Sequence, residues 1–326
     1  MTAVGTPRGG GRQRRGATDV RPAATITIDG EHAGRRLDKF LRSRHKGVPA
    51  GLLFRLLRQG GIRVNGRKSR QDYRLREGDV IDVPELRVDD AGVPAPRLPR
   101  SLLEQMKDVV LYEDRDLLVV NKPAGVAVHK GTDVSGGVIE ALRHLRPDLP
   151  ELELSHRLDR DTSGVLALAK TPSMLRHLHD LLREREDEIE RHYLAIVAGS
   201  WPSHLTVLDA PLQRRDTRVV VDPRGQRAET QVAVQRRMGT GATVVNLRLL
   251  TGRKHQLRVH LQHAGHPIAG DDRYGDSDFN RRVAGLGGTG LYLHASTMVI
   301  PLPDGSDRVV TAPMPARWKQ LVDAGL

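Results

Sequence analysis

Residues 155–170 read SHRLDRDTSGVLALAK. The first half is polar and rich in charge, whereas the run from Val165 to Ala169 is apolar without interruption. An unbroken apolar run of this length bounded by polar residues predicts a strand buried on both faces. The loop is therefore held at a sheet edge. Immediately after it, Thr171 supplies a helix N-cap and Pro172 suits the first turn. Leu175, Leu178, Leu181 and Leu182 then recur at helical spacing. Working outward, strands are predicted at 117–121, 193–197 and 243–250, and a helix at 138–145. After Thr251-Gly252-Arg253, residues 255–263 read as a helix ended by Gly265. Strands and helices alternate without regular βαβ repetition, so the fold class is α+β. No internal repeat of fixed period is present.

The chemistry concentrates in the same loop. Asp159 lies between Arg157 and Arg160, and nearby cations keep a carboxylate ionised and available as nucleophile or base. From the residues alone, Asp159 or Asp161 capping a turn beside Thr162, Ser163 and Gly164 is an equally good reading. The chain has no cysteine, which removes thiolate nucleophiles, disulfides and Cys-ligated zinc together. Gly285, Gly287 and Gly290 spell G-x-G-x-x-G but precede a strand instead of opening a helix, which rules out a dinucleotide site. His255, His260, His263 and His266 fit no standard metal-ligand spacing. Asp161-Thr162-Ser163-Gly164 has no second copy to form a carboxylate pair.

The 326 residues suggest a small module followed by a larger one. The formal net charge is +12, and 34–87 hold 15 Lys/Arg against 6 Asp/Glu, a net +9, while 88–326 hold 32 against 31. Such clustering points to a polyanion-binding module on a neutral body, with nucleic acid the favoured partner. Within it, Leu37, Phe40 and Leu41, then Leu52, Leu53, Leu56 and Leu57, predict two short helices. Asn65-Gly66 marks a tight hairpin turn, and a further strand follows at 80–83. The polar faces carry Arg35, Arg36, Lys39, Arg42, Arg55, Arg58, Arg63, Arg67, Lys68 and Arg70. Residues 1–23, with five Arg and five Gly, read as a disordered basic tail. The Pro-rich 88–103 reads as an extended linker to a domain at 104–326. No apolar run is long enough for a membrane span and no signal peptide is visible, so a cytoplasmic protein without membrane attachment is expected.

The basic helix pair followed by an RVNG hairpin at 34–87 resembles an S4 RNA-binding domain, which implies RNA contacts for Arg35, Arg36, Lys39, Arg55, Arg58, Arg63, Arg67 and Lys68. Six further blocks, in order, resemble the RluA-type pseudouridine synthases. They are NKPAGVAVHKG at 121–131, HRLDRDTSGVLALAK at 156–170, RHYLAIVAG at 191–199, TGRKHQLRVHL at 251–261, GHPIAGDDRYG at 265–275 and LYLHA at 291–295. The resemblance implies a catalytic domain with a mixed, mainly antiparallel sheet. It implies catalysis by Asp159, with Tyr193 stacking on a flipped base and Arg258 pairing with the aspartate. It also implies substrate contacts from His156, Arg157, Arg253, His255 and Gln256, with Arg157 filling the gap left by the extruded base; Arg253, at the start of the predicted helix, reads as a phosphate contact because backbone donors and the dipole favour anions there. Neither cofactor nor metal is implied. The S4-fronted arrangement is closest to the branch acting on large-subunit (23S) ribosomal RNA, free or in pre-ribosomal particles, with the enzyme a monomer. The alternatives are a non-catalytic RNA-binding assembly factor and a synthase for other rRNA or tRNA sites.

Overall fold

The structure is a computed structural model describing residues 19–45, 48–88, 98–130 and 136–324. The chain forms two compact units, Met1–Arg97 and Leu98–Leu326. In the first, strands β1 (Asp19–Arg21) and β2 (Ala24–Thr27) precede helices α1 (Leu37–Arg44) and α2 (Ala50–Gln59). Strands β3 (Arg63–Val64), β4 (Arg67–Lys68), β5 (Val80–Val83) and β6 (Leu86–Val88) complete it. Leu37, Phe40 and Leu41 of α1 pack with Leu53 and Leu57 of α2 over Ile62, Val64, Leu75 and Ile81. The four-stranded sheet runs β2-β5-β3-β4. Asn65 and Gly66 adopt φ of 51° and 72°, the left-handed pair that a two-residue hairpin turn demands. Asn65 then locks the hairpin by donating Nδ2–H to Asp79 Oδ1 and accepting the Val80 N–H.

Two expectations change here. Residues 1–18 of the segment read as a tail lie outside the described residues, but Asp19–Arg21 pairs antiparallel with Leu86–Val88, and the alternating ATIT of β2 pairs with β5. Of the segment read as an extended linker, 89–97 lie outside the described residues, and helix α3 (Arg100–Gln105) begins directly after Pro99. The prolines end there, and the Arg-Ser-Leu-Leu-Glu-Gln that follows favours helix and buries Leu102.

The second unit continues with β7 (Val110–Glu113), β8 (Leu117–Lys122), α4 (Val138–Leu145), β9 (Glu153–Leu154), β10 (Ser163–Ala169) and α5 (Pro172–Arg183). Then come β11 (Glu190–Ala198), β12 (Val207–Leu208), β13 (Leu212–Arg215), β14 (Arg218–Val221), β15 (Thr230–Met238) and β16 (Ala242–Leu249). The chain closes with α6 (Gln256–His263), α7 (Ser277–Gly285), β17 (Leu293–Pro301), β18 (Asp307–Thr311) and α8 (Ala316–Ala324). Ten strands form one sheet, β12-β15-β16-β11-β17-β10-β8-β7, with β18 on β17 and β9 on β10. Among the described residues only β10 and β17 run parallel, so the unit is α+β with a mixed, mainly antiparallel sheet.

The apolar run of β10 is buried at every position because its alternate residues enter two cores. Leu166 and Leu168 join Leu118, Val120 and the α4 residues Val138, Ile139 and Leu142 on one face. Val165, Ala167 and Ala169 join Leu117, Val119 and the α5 residues Met174, Leu178 and Leu181 on the other. Each buried Leu or Val contributes about 1.5–3 kcal/mol, so this two-sided clamp fixes the strand whose N-terminal end carries the charged loop. Thr171 accepts the Met174 N–H at 3.3 Å and starts α5.

Candidate active site

The loop 155–162 joins β9 to β10, and its geometry is set from both ends. At the C-terminal end Gly164 has φ 108°, and a Cβ there would lie 2.0 Å from the Ala295 carbonyl oxygen. Only glycine permits this approach of β10 to β17. At the N-terminal end Ser155 donates to the Ala167 carbonyl at 2.7 Å. Ala167 N–H donates to His156 Nε2 at 3.0 Å, so that ring nitrogen is an acceptor and the imidazole is neutral. Burial first, and then the Arg191 charge, push His156 down to about 4. His156, expected to contact substrate, thus also braces the loop against its own strand.

Lys122, the last residue of β8, holds the middle. Its side chain is fully buried, and Nζ donates to the carbonyls of Pro123, Val126 and Arg160 at 2.9, 2.8 and 2.8 Å. Three donors meet three acceptors, one of them next to Asp159. Burial pushes Lys122 down to about 7, against the pull of Asp161 and Asp159. The sequence carried a signal for it in LLVVNKP, a lysine closing a strand that opens with four apolar residues.

Asp159 reaches a cleft of about 350 Å³ that Tyr193, Arg157, His255 and Arg258 also line. Its side chain is 22% exposed, open enough to meet a ligand. Arg258 Nη1 stands 3.5 Å from Asp159 Oδ2, a long contact, and its principal partner is a residue the sequence reading missed. Asp271 takes Arg258 Nε and Nη2 at 2.7 Å each, a bidentate pair buried on both sides. Burial opposes both charges, yet the pairing wins: Asp271 is held below its ordinary value and Arg258 above its own. The signal lay in the GDDRYG block, but it does not show which residue the arginine grips.

His255 precedes α6 and, at φ 54°, occupies the left-handed region. The helix accordingly starts at Gln256, one residue later than predicted. Its Nδ1 lies 2.8 Å from Tyr274 Oη, which accepts the Val219 N–H at 3.0 Å. Tyr274 thus fixes the ring of His255, whose Nε2 lies 3.8 Å from Asp159 Oδ2. Tyr193 is 7% exposed, and burial pushes its hydroxyl up, with Arg191 opposing and Asp159 adding to the shift.

Other expected contacts are engaged with the protein. Gln256 is buried; its Oε1 accepts from Thr251 Oγ1 and the Arg253 N–H, and its Nε2 donates to the Glu229 carbonyl and Thr230 Oγ1. Both ends of the amide are committed, so it shapes the turn, and its side of that turn also lines the cleft. Arg253 lies three residues ahead of the helix and not at its start. It donates Nε–H to the Arg227 carbonyl and approaches Glu186 at 3.7 Å. Arg157 is exposed at the cleft. His260 and His266 are packed separately, against Thr230 with Ala210 and against Ala198.

In the first unit Lys39, Arg55, Arg58, Arg63, Arg67 and Lys68 are exposed, while Arg35 and Arg36 are half-buried. Arg36 pairs with Asp38 at 2.9 Å, and Arg63 donates Nε–H to the Gly60 carbonyl.

Residues 116–263 match the family model for RNA pseudouridylate synthase, and 35–81 match the S4 domain. The chain is 43% identical over 314 residues to the ribosomal large subunit pseudouridine synthase C of Salmonella typhi, covering 94% of this chain and 98% of that one. It is 44% identical over 305 residues to the protein of the same name in Escherichia coli strain K12, covering 91% and 95%. Among solved structures, human RNA pseudouridylate synthase domain containing 4 superposes with a TM-score of 0.55 at 27% identity, over 68% of this chain and 95% of that one.

Proposed function

Because the chain belongs to the RNA pseudouridylate synthase family with an S4 domain in front, we propose that it isomerises uridines to pseudouridine in large-subunit (23S) ribosomal RNA, with Asp159 as its catalytic carboxylate. The observation that carries the reading is the open carboxylate of Asp159 in a cleft that Tyr193 and the cationic side chains Arg157, Arg191, Lys254 and Arg258 also line. A stacked uridine is out of reach, so the nucleotide is extruded into the cleft, as base-modifying enzymes require. Its uracil stacks on Tyr193, and Arg157 fills the vacated place. The N1–C1′ bond breaks with the electron pair leaving on uracil. Asp159 either bonds to C1′, a bond that breaks with its electron pair returning to the carboxylate when C5 attacks, or removes the C2′ proton and gives it back as C5 bonds to C1′. The ring turns, C5 bonds to C1′, C5 gives up its proton and N1 takes one up, so nothing outside is consumed.

Arg258 and His255 hold the Asp159 carboxylate in place. The exposed cations of the first unit bind the RNA backbone, a contact that weakens steeply with salt. The enzyme works in the cytoplasm as a monomer. A non-catalytic assembly factor would need the same basic unit but not the carboxylate, the paired Arg258 or the braced loop. The test is pseudouridine mapping across total RNA of cells with and without the gene. Signals in 23S RNA that vanish without it, and return with the wild-type gene but not with Asp159→Asn, support the proposal. An unchanged 23S map, or restoration by Asp159→Asn, overturns it.

A further inference from the structure

Arg191 opens the strand face that two residues later carries Tyr193, and both side chains line the cleft. The residue is 8% exposed. Its Nε and Nη2 are buried without a hydrogen-bond partner, and no carboxylate pairs with it among the described residues. Arg258, at similar depth, has Asp271 against it and Asp159 nearby. A buried charge without a carboxylate partner costs several kcal/mol, and an acceptor entering the cleft beside Gly252, where Nη1 lies, would offset that cost. Gly252 makes room for it, since a Cβ there would lie 2.8 Å from Arg191 Nη1.

We propose that Arg191 is a catalytic residue whose guanidinium donates to a carbonyl oxygen of the target uracil and stabilises the charge on that ring while it is detached from the sugar. This deepens the proposed function and rests on it. The chemistry required is an oxygen acceptor with negative charge, because guanidinium has donors only. Uracil offers O2 and O4, and both gain charge when the N1–C1′ electron pair departs with the ring. That charge disperses again when C5 bonds to C1′. Phosphate oxygens have the same chemistry, but depth separates the two sources. Arg157 and Lys254 are exposed at the cleft, where a backbone passes, whereas Arg191 is buried beside the tyrosine on which the base stacks. Preorganised donors aimed at developing charge give the largest single catalytic effects known from enzymes.

The test is single-turnover pseudouridine formation by the full-length protein on a 23S transcript whose target uridine has been mapped with the wild type. Wild-type protein that makes no pseudouridine defeats the proposed function and overturns this role for Arg191 with it, whereas the variants below test Arg191 alone. Given wild-type activity, Arg191→Met should slow the reaction by about 100-fold or more with the half-saturating RNA concentration within about threefold. Its melting temperature should be unchanged or higher, because a methionine removes an unpaired buried charge. Arg191→Lys should recover at least part of the rate. Sulfur in place of O2 or O4 of the target uridine should slow the wild type but leave Arg191→Met unaffected.

A rate for Arg191→Met within about threefold of wild type overturns the proposal. So does a methylphosphonate at the target's phosphates that alone erases the difference between the two proteins. If Arg191→Met fails to fold, Gly252→Ala, which presses on Nη1, serves instead. An unchanged rate in that variant overturns the proposal, and a loss of about tenfold with an unchanged melting temperature supports it.

Discussion

Replacing Asp271 by Asn leaves the shape of the site and removes one charge. In the wild type both Asp271 oxygens take Arg258 at 2.7 Å, and Oδ1 also accepts the N–H groups of Arg273 and Tyr274 at 2.9 Å. The Asp271 side chain is 0% exposed and Arg258 is 7% exposed. Without Asp271, Arg258 keeps only Asp159 at 3.5 Å and the exposed Asp272 at 3.4 Å. Removing one member of such a pair costs about 3–5 kcal/mol because the other charge stays buried. For a folding unit of this size that lowers the melting temperature by about 6–20 °C. The freed guanidinium also turns fully onto Asp159, and a displaced carboxylate slows the chemistry by about 100-fold. Thermal unfolding followed by circular dichroism, with Asp272→Asn as control, measures the first effect. Asp272 is 82% exposed, so the control should cost under about 1 kcal/mol. An Asp271→Asn protein that melts within about 2 °C of the control would refute the reasoning.

Lys122 gives stability a pH signature. Its folded value of about 7 lies below the ordinary 10.5, so between the two the unfolded chain binds the extra proton and stability rises with pH by up to about 1.4 kcal/mol per unit. Urea unfolding from pH 6 to 10 should show this rise in the wild type and a flatter profile in Lys122→Met; equal slopes refute it. Gly164→Ala should yield no folded protein, or lose more than about 4 kcal/mol, given the 2.0 Å approach to Ala295; near-wild-type stability would show that β10 and β17 can separate cheaply. Lys39→Ala, Arg55→Ala and Arg58→Ala together should lower the salt slope of RNA binding by about 2–3 and leave the rate on saturating RNA unchanged. A salt slope equal to wild type would remove these side chains from the RNA interface.

Local signals carried much of this architecture. The run at 165–169, the Thr171 cap and Asn65-Gly66 each name their structure because the forces involved act within a few residues. β15 was not legible, since Arg236 and Arg237 interrupt its alternation and only pairing with β16 makes it a strand. Helix α3 was hidden by the three prolines that precede it. In the site, Asp159 is visible as a carboxylate between arginines. Its supports are not: Lys122 acts across 38 residues of sequence, and Asp271 is one of several acids near α6. Arg191 resembles any surface arginine until the sheet places it beside Tyr193. Pairing and burial are decided by tertiary contact, and composition cannot report them.

The most direct measurement is pseudouridine formed per enzyme when purified wild type and Asp159→Asn are incubated in parallel with unmodified 23S transcript, both proteins shown to melt alike. The wild type should convert its target uridine to completion and the variant should form none above background. Equal conversion by the two proteins would contradict the claim that this carboxylate performs the reaction.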